Sequence, residues 1–65
     1  MPFVEVKMIA GRSHDVKAKL VERITDTLVE TLGAKPDTVT VILTDVPKED
    51  WATAGILLSD RGTQK

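Results

Sequence analysis

Hydrophobic positions recur along this chain with two different periods. From Phe3 to Ile9 they alternate, with Val4, Val6 and Met8 on one side and Phe3, Glu5, Lys7 and Ile9 on the other, which predicts a strand. From His14 to Leu32 the spacing changes to four: Val16, Leu20, Ile24, Leu28 and Leu32 form a stripe that Val21 widens. Lys17, Lys19, Glu22, Arg23, Asp26 and Glu30 fill much of the remainder, as expected of an amphipathic helix. Alternation returns from Thr38 to Thr44, with Val39, Val41 and Leu43 opposite Thr38, Thr40, Ile42 and Thr44, predicting a second strand.

The punctuation agrees with these periods. Gly11 supplies a positive φ for the turn Ala10-Gly11-Arg12, Ser13 is a good N-cap, and Asp15 complements the dipole in the first helical turn. Gly33 stops the helix and Pro36 bars its continuation. Strand, helix and strand in this order predict an α/β fold, a short βαβ unit with parallel strands. Such a unit leaves one sheet face and both edges uncovered, which parallel sheets rarely tolerate. Beyond it, Pro47-Lys48-Glu49-Asp50 reads as a turn or short helix, Trp51 to Gly55 as a loop or hairpin arm, and Arg61 to Lys65 as a polar, frayed end. The apolar triplet Ile56-Leu57-Leu58 has no room in so small a core and is expected to pack on a neighbouring subunit.

Composition turns that expectation into a requirement. A chain of 65 residues forms a single domain, residues 1–65, and is marginally stable alone. Small folds add disulfides, metals or partners; with no cysteine and one histidine, only oligomerisation is left. Nine basic and ten acidic residues are interspersed, with no basic stripe, which argues against nucleic-acid binding. No apolar run approaches the roughly 20 residues that span a bilayer, and no signal-like segment opens the chain. The expected setting is the cytoplasm, without metal or cofactor.

The candidate chemistry begins at Pro2. Behind a start methionine, proline is small enough for Met1 to be removed, and the chain then begins with a secondary amine. An α-amino group titrates near ~8, and an apolar pocket or nearby cations lower that value by disfavouring the ammonium form. Such an amine can act as a general base, whereas an ordinary Pro2 merely closes a strand edge. Arg12 offers a planar fork for a carboxylate, or is a solvated turn residue. It lies about 30 Å from its own Pro2 at ~3.3 Å per residue, so serving one site requires it to curl back or to come from another subunit. Trp51, the only tryptophan, is an interface anchor, an apolar wall of a site, or both. His14 reads as a surface residue and Glu49-Asp50 as a hydrated turn.

Pro2 at the head of a short apolar strand, Ala10-Gly11-Arg12-Ser13 opening a long helix, a second strand and a large aromatic at Trp51 together resemble the 4-oxalocrotonate tautomerase family over nearly the whole chain. The resemblance implies an isomerase of aromatic catabolism that needs no cofactor. In it Pro2 is the base, Arg12 the carboxylate clamp and Trp51 a pocket wall, and the subunits form a homo-oligomer, a hexamer built as a trimer of dimers. The substrate class would be a 2-hydroxydienoate or enol carboxylate. Two positions depart from the pattern. Thr40 stands where well-known members carry a second substrate-binding arginine, and Thr53 stands near the place of the water-activating acid of related dehalogenases and hydratases. Thr40 offers a hydrogen bond but cannot neutralise a carboxylate. The alternatives are a diverged or promiscuous member, hydratase-like or using Pro2 to form an iminium, and a non-catalytic assembly that keeps the fold.

Overall fold

The computed structural model describes residues 1–61. Strand β1 (Phe3–Ile9) is followed by helix α1 (His14–Leu32) and, after a 3₁₀ turn at Pro36–Thr38, by strand β2 (Thr40–Val46). A second 3₁₀ turn, Lys48–Asp50, leads into a small hairpin of β3 (Ala52–Thr53) and β4 (Ile56–Leu57), closed by one helical turn, α2 (Leu58–Arg61). β1 and β2 pair in parallel from Phe3↔Thr40 to Ile9↔Val46, while β3 and β4 pair antiparallel.

The ends of α1 are set by the residues that predict them. Ser13 accepts a hydrogen bond from the Val16 amide through its side chain, satisfying one of the donors a helix start leaves unpaired. Gly33 closes the other end at φ 72°, its N–H bonded to the Val29 carbonyl, a conformation that a Cβ would disfavour. Gly11, at φ 130°, makes the reversal between β1 and α1.

β2 begins at Thr40, later than its alternation predicts, and extends to Val46. The cause is local at each end. Pro36 fixes the backbone for a turn in which both the amide and the hydroxyl of Thr38 bond to the Lys35 carbonyl, withdrawing Thr38 from the ladder. At the far end the Val46 carbonyl accepts from Ala10, and the Asp45 carboxylate is held by Lys17. Of the end expected to fray, Arg61 closes the helical turn Leu58–Arg61 and its side chain bonds back to the hairpin. The rest of that predicted polar end, residues 62–65, lies outside the described residues.

The helix covers one face of the sheet, the face of Val4, Val6 and Met8 on β1 and their partners Val41, Leu43 and Asp45 on β2. Leu20, Ile24 and Leu28 are half-buried, but Val16 and Leu32 at the ends of the stripe are 52% and 64% exposed. A spacing of four drifts by about 40° per step from the 3.6-residue turn, so a stripe centred on Ile24 rotates off the sheet at both ends. Lys17, two turns before Ile24, lies on the sheet-facing side, which is why it reaches Asp45. With each partner still about a third exposed, the pair adds little stability beyond fixing this end of the helix over β2.

The opposite face is open. It carries Phe3, 58% exposed, and Ile42, 44% exposed, together with Glu5, Lys7, Thr40 and Thr44. Among the described residues only Met8 counts as buried hydrophobic core. One copy therefore lacks the apolar burial that ordinarily offsets the entropy of folding.

The caps and the missing core make two predictions. Ser13→Ala and Gly33→Ala should each cost about 1 kcal/mol, lowering Tm by roughly 4–8 °C in thermal scans at fixed protein concentration. The Tm of the unaltered protein should rise with its own concentration, since a partner that binds only the folded state stabilises it by mass action. A Tm independent of concentration, with the mass of one chain in light scattering, would refute the second.

Candidate functional site

Parallel pairing sorts the candidate residues to two ends of the sheet. At one end the Thr40 amide donates to the Pro2 carbonyl at 3.1 Å, so these two residues are neighbours within one chain. The Thr40 side chain stands on the open face beside Phe3, its pairing partner, and is exposed. Pro2 is half-buried, and Met1 in front of it is 98% exposed. α1, crossing back between parallel strands, directs its C-terminal carbonyls towards this end and has no basic residue in its last turn.

At the other end lie Arg12 and the segment leading to Trp51. Arg12 follows the Gly11 turn, and its Nη1 donates to the Ile9 carbonyl at 2.8 Å, folding the side chain over the end of β1. Its other donors point to no acceptor among the described residues, and the residue is exposed. Trp51 follows the 3₁₀ turn that leaves the sheet where Val46 pairs with Ile9. It is half-buried, and its carbonyl accepts from the Leu58 amide at 2.8 Å.

The four candidates are thus brought together in pairs and not as one site. Pro2 and Thr40 adjoin; Arg12 and Trp51 belong to the opposite end, and the described residues of one chain enclose no pocket between them. Pro2 and Arg12 can meet only when the end of one copy is set against the opposite end of another. The described residues contain no group of three or more His, Cys, Asp or Glu side chains placed to hold a metal ion. The His14 side chain is 93% exposed, with its Nδ1 3.5 Å from the Asp15 carboxylate, while Glu49 and Asp50 are exposed in their turn.

Two residues near these ends carry no motif and are not singled out by the sequence. Lys17 sits among the charged positions of α1, and only its seven-residue spacing from Ile24 marks it as sheet-facing. Arg61, grouped with a polar tail, donates through Nη2 to the Thr53 carbonyl at 2.9 Å. No sequence signal announces that bond, because it depends on where a two-residue hairpin turn aims a backbone carbonyl.

Comparison with known proteins identifies the family of this fold. Residues 2–61 match the family model described as tautomerase enzyme. The 2-hydroxymuconate tautomerase of Comamonas testosteroni is 42% identical over 62 residues, spanning 95% of this chain and 98% of its own. The solved structure of a 4-oxalocrotonate tautomerase homologue in the tomaymycin biosynthetic pathway overlays with a TM-score of 0.94 at 33% identity, covering 97% of both chains. A heterohexamer 4-oxalocrotonate tautomerase from Chloroflexus aurantiacus J-10-fl overlays with a TM-score of 0.88 at 25% identity, covering 92% of this chain and 97% of the other. No helix among the described residues is long and apolar enough to cross a membrane. With its family model, its sequence relatives and its βαβ backbone all in agreement, the chain belongs to the tautomerase family.

Proposed function

We propose that this chain is a cytoplasmic, cofactor-independent tautomerase in which Pro2, once Met1 is removed, is the general base. The free amine takes the proton of the hydroxyl group of a 2-hydroxydienoate or enol carboxylate. The enol oxygen's electrons form the C=O bond, the double bond shifts, and the proton is returned to carbon to give the ketone. Conjugation in the substrate stabilises the intermediate, so no metal or cofactor is required. A positioned general base of this kind contributes about 10²–10⁴ in rate.

The observation that carries this reading is the sorting of Pro2 and Arg12 to opposite ends of a parallel pair whose outer face and edges are open. When two copies join with their strands antiparallel, the Arg12 end of one lies alongside the Pro2 end of the other. The guanidinium then holds the substrate carboxylate and disfavours the ammonium form of Pro2. Trp51 forms an apolar wall of the pocket, and Thr40 contributes a hydroxyl for a hydrogen bond. The assembly is a homo-oligomer, a hexamer made as a trimer of dimers, in keeping with the heterohexamer named among its structural neighbours.

The test pairs intact mass with ketonisation of phenylenolpyruvate on one sample purified from its native host. We expect a mass lacking one methionine, and a fall of about 10²–10⁴ in kcat/KM for Pro2→Ala. Arg12→Ala should lower kcat/KM by about 10–100-fold, mostly through KM, as for the loss of a hydrogen bond to a charged group. A protein that retains Met1 and shows no turnover would refute the mechanism.

A further inference from the structure

We infer that Arg61 is a positioning residue that holds Trp51 in place through the hairpin arm. The inference rests on the proposed reading of Trp51 as a wall of the site.

The arm has little of its own to hold it. β3 and β4 are two residues each, and a lone two-stranded hairpin is marginal in water. Its turn, Ala54-Gly55, needs positive φ at both positions, 56° and 79°, and at Ala54 the Cβ makes that conformation strained. Every residue from Ala52 to Leu57 is exposed. What ties the arm down is α2. At its start the Leu58 amide donates to the Trp51 carbonyl, and at its end Arg61 Nη2 donates to the Thr53 carbonyl. These bonds grip the arm on both sides of Ala52, fixing the direction in which β3 leaves Trp51.

Arg61 is suited to this by shape as well as charge. The residue is half-buried and its Nε is fully covered, without an acceptor among the described residues, so this side of the guanidinium is shielded from water while Nη2 meets the arm. Its planar fork and long stem fill space that a bare ammonium does not. Without this grip the backbone of Trp51 keeps its bonds to Leu58 and, at 3.4 Å, to the Lys48 carbonyl, but the direction in which β3 leaves it is held by the weak β3–β4 ladder alone among the described backbone bonds, and the wall loosens.

Trp51 is the only tryptophan, so its emission reports this one position. The experiment uses the full-length, assembled protein with phenylenolpyruvate and compares Arg61→Met, Arg61→Lys, Trp51→Ala and the double variant Arg61→Met with Trp51→Ala. Arg61→Met should raise KM about tenfold with kcat largely retained, and shift the Trp51 emission to the red. Arg61→Lys, which keeps a donor and the charge, should give smaller changes in both readouts. In the Trp51→Ala background Arg61→Met should add nothing further to KM, because the two residues act as a unit.

Unchanged KM and emission in Arg61→Met, in a protein whose turnover depends on Pro2, would overturn the inference. So would a tenfold effect that persists in full without Trp51. If Arg61→Met does not assemble, Arg61→Lys carries the comparison, and the absence of any shift in it overturns the inference equally. Absence of Pro2-dependent turnover in the unaltered protein, by contrast, refutes the reading of the site on which the inference rests.

Discussion

The parallel pairing of β1 with β2 is the constraint on which the rest of this molecule depends. A parallel ladder aligns the two strand beginnings, Pro2 with Thr40, and the two strand ends, Ile9 with Val46. It cannot be closed by a tight turn, so α1 must cross back over one face. Had the strands been antiparallel, the chain entering β1 would lie beside the chain leaving β2, and Pro2 would face the segment that carries Trp51. In the parallel arrangement that meeting is impossible within one copy. The distribution of chemistry along the sheet and the need for a partner are two results of a single topological fact.

In the proposed mechanism the same pairing ties assembly to reactivity. One face of the sheet is covered by α1; the other displays Phe3 and Ile42, large apolar side chains left about half exposed. Phe3 and its partner Thr40 stand on that open face at the Pro2 end of the sheet, so a copy that covers the face comes up beside Pro2. Desolvation disfavours the charged form of an amine, and so does a guanidinium brought in by the covering copy. Burial that stabilises the oligomer thus acts in the same direction as the tuning a neutral base requires. A monomer would lack both.

The parts of the fold that were legible in the sequence are those whose causes are local. α1 runs from His14 to Leu32 because Ser13 and Gly33 are in place on either side, and both are visible without knowledge of any tertiary contact. β1 follows from its alternation. β2 was legible in existence and face but not in its limits, since Thr38 is drawn into the turn by the Lys35 carbonyl, and Asp45 joins the strand only with Lys17 opposite. Site residues divide in the same way. Pro2, Arg12, Thr40 and Trp51 are candidates from residue type and family pattern, but their sorting to two ends required the register. Arg61 was not legible at all, because its partner is a carbonyl and sequence does not indicate where a carbonyl points.

Thr40 shows how fold and chemistry separate at a single position. Its amide holds the Pro2 carbonyl, a bond any residue but proline can make, so the ladder leaves the side chain free to differ. A hydroxyl at that place neutralises no charge. In the proposed assembly the electrostatics around Pro2 then rest on Arg12 from a neighbouring copy, carried on a turn that Gly11 makes and held over β1 by the Ile9 carbonyl. A substrate with one carboxylate matches one clamp. A second carboxylate would have to be desolvated against a neutral threonine, which is costly without a paired charge. The residue that leaves the fold unchanged is therefore the one that narrows the chemistry.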